Sequence, residues 1–447
     1  MILKYLKISL VCIFTVLVLC IISVKDIVHA MPSVQKSVLP NKLVLLVSED
    51  HSLPMVTFQL LIDSGSSRDP AGEEGLANLT AKGILLGTRK HTMKLMNEEL
   101  DFMGASLDSS CGRDYATLNL LVLKKDLDKG FDLMMEALIQ PTFPDEDLRK
   151  EVEKTLAAIQ SAEEKPMDVA EKAFRKALFL GSPYGHPVEG TRESLPRLTR
   201  GKAIKFYKTY YHPNNAILSV VGDITIDEVQ SKLIPRLTKW TIGKIPKNGF
   251  VTKFARGPTI IKIDRNITQA NIIIGGPGIN RNNPDFYALT VMNYILGGGG
   301  FASRLMEDIR NKRGLAYSVA SLIDSGKNPG SYQVVLETKN PSARESISLV
   351  IQQIKRIQEE PVSAKELKGA KKYLIGSFPM RFDNQGKLAN FLVQVEYYGL
   401  GLDYFEKYPS LISSITSEDV LRVAKKYLHP EDYILVVVAN VKEAGID

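Results

Sequence analysis

Cysteine and histidine are scarce in this 447-residue chain, with three of the first and six of the second. Cys12 and Cys20 fall in an apolar N-terminal run, so Cys111 is the only cysteine of the rest of the chain, and an internal disulfide there is excluded. Beyond that run the histidines are His51, His91, His186, His212 and His429, and no two stand at i,i+3 or i,i+4, the spacing that lets a helix present a pair of metal ligands. Cys111 follows Ser109 and Ser110, but no Gly-x-Ser-x-Gly elbow and no Cys-His pairing accompanies it, which argues against a nucleophile. A block of charge of one sign is also missing. The 57 Lys+Arg are interleaved with 50 Asp+Glu, so the formal +7 forms no basic patch and a nucleic-acid partner is not implied. With 44% hydrophobic and 24% charged residues, the composition excludes a disordered tail, a collagen-like chain and a multispanning membrane protein.

One long apolar run does exist. Lys4 and Lys7 precede an uncharged stretch from Ile8 to Val24, and Val28-His29-Ala30 offers small or apolar residues where a signal peptidase reads. Residues 1–30 are therefore expected to be a signal peptide, and the chain to be exported to the periplasm. The alternative is a retained inner-membrane anchor, because seventeen residues at 1.5 Å each span about 25 Å, a little less than the roughly 30 Å hydrocarbon core. Leu19 before Cys20 disfavours a lipoprotein.

The remainder repeats itself. Lys205 to Ile224 and Arg422 to Val441 share Lys208/Lys425, Tyr210/Tyr427, His212/His429, Pro213/Pro430, Ile217/Ile434 and Leu218/Leu435 at an offset of 217 residues. Nearly the same spacing relates Tyr115–Leu118 to Tyr332–Val335, and the helix opening at Pro144 to one opening at Ser363. Two copies of one domain follow: 35–245 and 258–445, joined by a linker over 246–257 rich in Pro, Gly and Lys. Periodicity places strands at Leu43–Val47, Val56–Ile62, Tyr115–Val122 and Ile217–Val221. It places helices at Leu76–Leu86, Asn97–Met103, Lys129–Ile139 and Asp145–Ala162. This mixture predicts an α+β fold, in each copy an antiparallel-rich sheet packed with helices. His212 and His429, equivalent and each before Pro, read as turn residues.

Several separated motifs now stand in order: Gly75-Leu76-Ala77, Gly87-Thr88, Pro183-Tyr184-Gly185-His186-Pro187, Gly190-Thr191, Ser303-Arg304-Leu305 and Arg313-Gly314-Leu315-Ala316-Tyr317. Together they resemble the M16 family of metallopeptidases (pitrilysin, insulin-degrading enzyme, mitochondrial processing peptidase) over essentially the whole chain after the N-terminal segment. The resemblance implies two M16-type domains and, in active members, an inverted zinc motif His-x-x-Glu-His in the helix after Gly-Leu-Ala. Here that helix reads Asn78 and Lys82 at the two histidine positions and Ala81 at the general base. The later Glu ligand, about 76 residues on, falls at Ala158. No zinc is expected in this chain, since Lys82 would set a fixed positive charge where the metal would lie. Glu73 and Glu74, before the helix, are read as an acidic helix start and not as relocated acids.

The second half keeps what the resemblance implies for substrate binding: an Arg and a Tyr seven residues apart, Arg310 and Tyr317. Gly314 is expected at the C′ position of a helix ending after Arg310, so that both side chains converge and donate to a peptide carbonyl or its oxyanion. The run Gly297–Gly300 before Phe301 lacks the Lys-Ser or Lys-Thr of a phosphate loop and is read as a point of close backbone approach. The resulting expectation is a non-catalytic subunit of a heterodimeric M16 peptidase. Its partner would be an M16 chain bearing His-x-x-Glu-His and zinc, and its substrate a peptide or unfolded polypeptide. A membrane would be involved only if residues 1–30 are retained. The alternative is an inert structural or peptide-binding protein with no zinc partner; an independently active peptidase with a rebuilt site ranks below both.

Overall fold

A computed structural model describes residues 33–247, 250, 252–255 and 257–446. The expected signal peptide or anchor lies outside the described residues. None of the described helices is long and apolar enough to cross a membrane.

The first half folds as β1 (Gln35–Val38), β2 (Val44–Glu49), β3 (Met55–Ile62), α1 (Leu76–Gly83), α2 (Met93–Met103), β4 (Ser106–Cys111), β5 (Ala116–Leu123), α3 (Leu127–Ile139), α4 (Asp145–Glu163), α5 (Pro166–Leu178), α6 (Arg200–Tyr210) and β6 (Ala216–Gly222). The second half follows with β7 (Thr259–Asp264), β8 (Gln269–Pro277), α7 (Phe286–Asn293), β9 (Ala316–Asp324), β10 (Ser331–Lys339), α8 (Ala343–Glu359), α9 (Ala364–Gly376), α10 (Gln385–Tyr397), α11 (Tyr404–Ser413), α12 (Ser417–Tyr427) and β11 (Ile434–Ala439). Shorter helical turns complete each half.

The two sheets run in the orders β1-β2-β6-β3-β5-β4 and β7-β11-β8-β10-β9. Apart from the added β1, the order is the same, with one parallel pair in each sheet (β2/β6 and β7/β11) and antiparallel pairs elsewhere. Ile217 pairs with Val44, and its repeat counterpart Ile434 with Thr259, so the repeated sequence occupies the same place in both halves. The fold is α+β with two M16-type domains.

Alternation along the strands gives each sheet two buried faces. Val56, Phe58, Leu60 and Ile62 of β3 enter the first core with α1, α3 and α6; Ala270, Ile272 and Ile274 of β8 enter the second with α7 and α8. The opposite faces are covered by exchange. α5, from the first half, lies across β8 and β11, while α10, from the second half, lies across β3 and β6. Phe174 of α5 meets Ile273, Ile434, Val436 and Val438 there.

Periodicity located the cores of these elements but mistook some ends and missed others. α2 begins at Met93, ahead of the expected Asn97, because Thr92 accepts from the Leu95 N–H and caps the helix early. α1 stops as regular helix at Gly83, with turns to Leu86. In the first half, strands β1 and β4 and helices α5 and α6 carried no expectation: β1 and β4 are short, largely polar strands on sheet edges and lack an apolar stripe.

Candidate functional site

The turn into α1 is built on two glycines that cross backbone to backbone. A Cβ on Gly75 would stand 2.6 Å from the Glu189 carbonyl oxygen, and one on Gly190 would stand 2.4 Å from that of Glu74. Both have positive φ, +93° and +92°, so glycine is required twice over. Asp69 then caps the helix start from a distance in sequence, its carboxylate accepting the N–H groups of Gly75 (2.8 Å) and Ala77 (2.7 Å). Burial raises its pKa to about 7, outweighing those two hydrogen bonds. Glu73 pairs with Lys202 (2.9 Å) and Glu74 accepts from the Gly72 N–H (2.9 Å), so both acids serve the turn.

On α1, Ala81 is fully buried, Asn78 is half-buried, and the Lys82 ammonium is engaged by Glu151 of α4 at 2.7 Å. Ala158 is on α4 and exposed. A zinc ion does not fit this donor set, which offers an amide, two methyl groups and an ion-paired ammonium. Among the described residues no group of three His, Cys, Asp or Glu is placed to hold a metal. Sequence reasoning missed Glu151. It lies seven residues before Ala158, two turns along the same face of α4, and that spacing was the available signal.

Three of the histidines are engaged locally. His51 meets Asp223 (2.6 Å), His91 meets Glu136 (3.1 Å), and both ring nitrogens of His212 face backbone carbonyls of Thr241 and Lys208. The Cys111 thiol is pushed well up by burial and donates to the Gly112 carbonyl, an environment opposite to that of a reactive thiolate.

In the second half the structure brings Arg310 and Tyr317 together. Arg310 lies in the helical segment Met306–Lys312, which ends on a left-handed glycine: the Gly314 N–H donates to the Arg310 carbonyl and the Leu315 N–H to that of Ile309, both at 2.9 Å, with φ of +63° at Gly314. β9 starts two residues later, and the Arg310 guanidinium rests 5.4 Å from the Tyr317 ring centroid. A third residue joins them. Phe301, at the end of the glycine run, holds its ring centroid 4.9 Å from the same guanidinium. Tyr317 is 74% and Phe301 67% exposed, so the trio presents a cation and a phenol outward.

The elements behind the trio explain the other motifs. A Cβ on Gly297 would meet the Ser321 backbone nitrogen at 2.5 Å, so β9 packs directly on the glycine run. Ser303 donates to the Gly300 carbonyl (2.6 Å), Leu305 is in the core, and Arg304 grips Glu366 at the head of α9 with two hydrogen bonds (2.7 and 3.1 Å). The Arg304 guanidinium holds the Glu366 carboxyl down at about 2, against the opposing effect of burial. No hydrogen bond, ion pair or ring contact joins this trio to Asn78, Ala81 or Lys82 among the described residues.

Two family profiles match the chain in sequence: "Insulinase (Peptidase family M16)" over residues 44–192 and "Peptidase M16 inactive domain" over 197–374. The chain belongs to the M16 peptidase family. Among M16 relatives, an uncharacterized zinc protease of Streptomyces coelicolor is 25% identical over 90% of this chain and 88% of its own length. The non-peptidase homolog YmxG of Helicobacter pylori is 27% identical over 90% and 93%. A crystal structure of a peptidase M16 inactive domain from Pseudomonas fluorescens superposes with a TM-score of 0.85 at 25% identity, covering 91% of this chain and 98% of that one. With an amide, a methyl and an ammonium at the positions of the zinc motif, this is an inactive-type M16 member.

Proposed function

We propose that this chain is the non-catalytic subunit of a heterodimeric M16 metalloendopeptidase, exported to the periplasm. Its partner is an M16 chain carrying His-x-x-Glu-His, and this chain lends that partner Arg310 and Tyr317. One observation carries the reading: Lys82, which the resemblance sets at a zinc-ligand position, is ion-paired with Glu151, while Arg310 and Tyr317, with the Phe301 ring against the guanidinium, form an exposed donor pair that bonds to nothing in the chain's own α1 region among the described residues. A guanidinium and a phenolic OH held in this way donate to the carbonyl of a bound peptide and strengthen their bonds as negative charge develops on its oxygen.

The test is reconstitution. Purified chain mixed with an M16 chain of intact motif encoded beside it should cleave unfolded polypeptide, while this chain alone should not. The double variant Arg310→Ala/Tyr317→Phe should lower kcat by roughly 10²-fold or more, the scale of losing an oxyanion donor. Equal activity with the double variant refutes the donated role. The name of the Helicobacter relative, a non-peptidase homolog, favours the rival of an inert peptide-binding protein; that rival predicts no cleavage in any mixture.

A further inference from the structure

A cavity of about 260 Å³ lies between one side of α10, the first residue of α11 and the loop before α7, away from the residues that the M16 reading uses. Two arginines line it, Arg281 from that loop and Arg381 from the turn Phe378–Arg381 ahead of α10, and among the described residues no acid does. Its volume is just under the range of about 300–1,000 Å³ that holds drug-sized ligands, which suits a small one.

The carboxylates closest in sequence to the lining are spent elsewhere. Asp383 pairs with Lys387, Glu396 with Lys36 and Asp403 with Lys407. Neither Arg281 nor Arg381 forms an ion pair with a described residue. Each rests on aromatic rings instead. The Arg281 guanidinium lies 3.8 Å from the ring centroid of Phe286, and that of Arg381 lies 5.4 and 5.2 Å from those of Phe378 and Tyr408. A ring covers the face of a guanidinium, but the N–H groups point outward in its plane and stay available to an acceptor.

Those N–H groups are largely unspent. Arg281 is half-buried and gives Nη2 to the Tyr404 hydroxyl (2.8 Å). Its Nε and Nη1 make no hydrogen bond with a described residue, and neither atom is sealed from solvent. The Tyr398 hydroxyl, on the same cavity, is in the same condition. Gln394 donates to the Asn390 side-chain oxygen (3.3 Å), which leaves the Asn390 amide NH₂ as a further donor.

The lining thus offers donors and positive charge with no carboxylate to balance them. Two like charges sharing a partly desolvated space repel each other, and an anion between them removes that cost. Charge and shape narrow the anion. A monocarboxylate balances one arginine only, whereas a phosphate monoester carries close to two negative charges at neutral pH and three terminal oxygens that accept strongly. A nucleoside triphosphate exceeds both the volume and the charge. Phe391 and Leu400 add apolar surface to the same wall, which inorganic phosphate would leave uncovered.

We propose that this cavity is a binding site for a small phosphate monoester, with Arg281 and Arg381 taking the phosphate oxygens, Tyr398 donating a further hydrogen bond, and Phe391 and Leu400 covering the organic end. The site needs no partner chain, so it stands or falls apart from the subunit reading. The purified chain is titrated by calorimetry at neutral pH and low salt with phenyl phosphate, inorganic phosphate and benzoate. Saturable one-to-one binding of phenyl phosphate, about tenfold tighter than benzoate, is expected. Weaker binding of inorganic phosphate supports the ester as the source, and equal binding supports the site with free phosphate as its ligand. Arg281→Gln and Arg381→Gln should each weaken phenyl phosphate about tenfold or more, the scale of losing a charged hydrogen bond. Tyr398→Phe, whose lost hydroxyl bonds to nothing in the fold, should weaken it about threefold with an unchanged unfolding midpoint. Lys176→Gln, which removes one positive charge from α5, should leave the affinity as it is.

Four results overturn the proposal: no saturable binding of phenyl phosphate up to millimolar concentration, equal affinity for benzoate, unchanged affinity in Arg381→Gln and Tyr398→Phe together, or an equal loss in Lys176→Gln, which would reduce the effect to overall charge. Because Arg381 is exposed and Tyr398→Phe deletes a single oxygen, these two variants keep the test decisive even if Arg281→Gln disturbs the loop before α7.

Discussion

The two sheets share a strand order but close their outer faces by different chemistry. In the second half, Ile273, Ile434, Val436 and Val438 meet Phe174 of α5 in an apolar seam. A Cβ on Gly275 would stand 2.8 Å from the Phe174 ring, so a glycine in β8 makes room for it. In the first half, the outward residues of β3 and β6 under α10 include Thr57, Gln59 and Ser219, all buried. The Thr57 and Ser219 hydroxyls have no hydrogen-bond partner among the described residues. Apolar area removed from water stabilises by about 25 cal/mol per Å², whereas a buried hydroxyl without a partner costs free energy. The difference is one of degree: both faces mix apolar and polar residues, with Leu61 and Val221 buried in the first half and Asn271 in the second, but the hydroxyls of Thr57 and Ser219 lie unpartnered under α10.

The largest test of that contrast is Phe174→Ala. It empties a fully buried ring from the apolar seam and should cost about 3–5 kcal/mol in urea unfolding; a loss under about 1 kcal/mol would mean that the seam contributes little.

A second comparison concerns the acids at the starts of α1 and α7. Asp285 accepts from Arg422 (2.7 Å), Lys426 (2.8 Å) and Tyr427 (2.7 Å). Although burial opposes it, these partners hold its pKa at about 2. Its folded pKa lies below the unfolded value of about 3.9. Its stabilisation is thus present above roughly pH 4 and lost as pH falls towards 2. Asp69 has the opposite sign, since its pKa of about 7 lies above the unfolded value, and its contribution is full below pH 4 and lost as pH rises to 7. Stability measured against pH should show Asp285→Asn costing about 1–2 kcal/mol at neutral pH, with that deficit vanishing in acid. In the same measurement Asp69→Asn should flatten the decline between pH 4 and 7. Parallel profiles for wild type and both variants would contradict the contrast.

The smallest effect is expected for Ser219→Ala. It removes a buried hydroxyl that bonds to nothing, so its unfolding midpoint should equal or slightly exceed that of wild type, within ~0.5 kcal/mol. A clear loss would show that the first-half seam depends on its polar atoms.

Much of this was readable in the sequence where a pattern recurs along the chain. The 217-residue repeat revealed two copies of one domain because His-Pro before an apolar strand is distinctive in both, and the α+β mixture followed from alternating periods. Arg310 and Tyr317 were picked out by the M16 resemblance, with Gly314 placing a turn between them. Phe301 and Glu151 were not. Each acts across a distance in the chain: Phe301 reaches back over the Arg310 helix, and Glu151 comes from α4 to Lys82. The exchange of α5 and α10 was also hidden, since an amphipathic helix shows that it has an apolar face but not which sheet that face will cover.

That exchange bears on how the molecule can come apart. A protease cut anywhere between β6 and β7 would leave two polypeptides on a denaturing gel, yet each fragment would still hold a helix belonging to the other and the pair would travel as one particle. Half the gene expressed alone would make a product with one sheet stripped on its outer side and one helix without a seat, a recipe for insolubility.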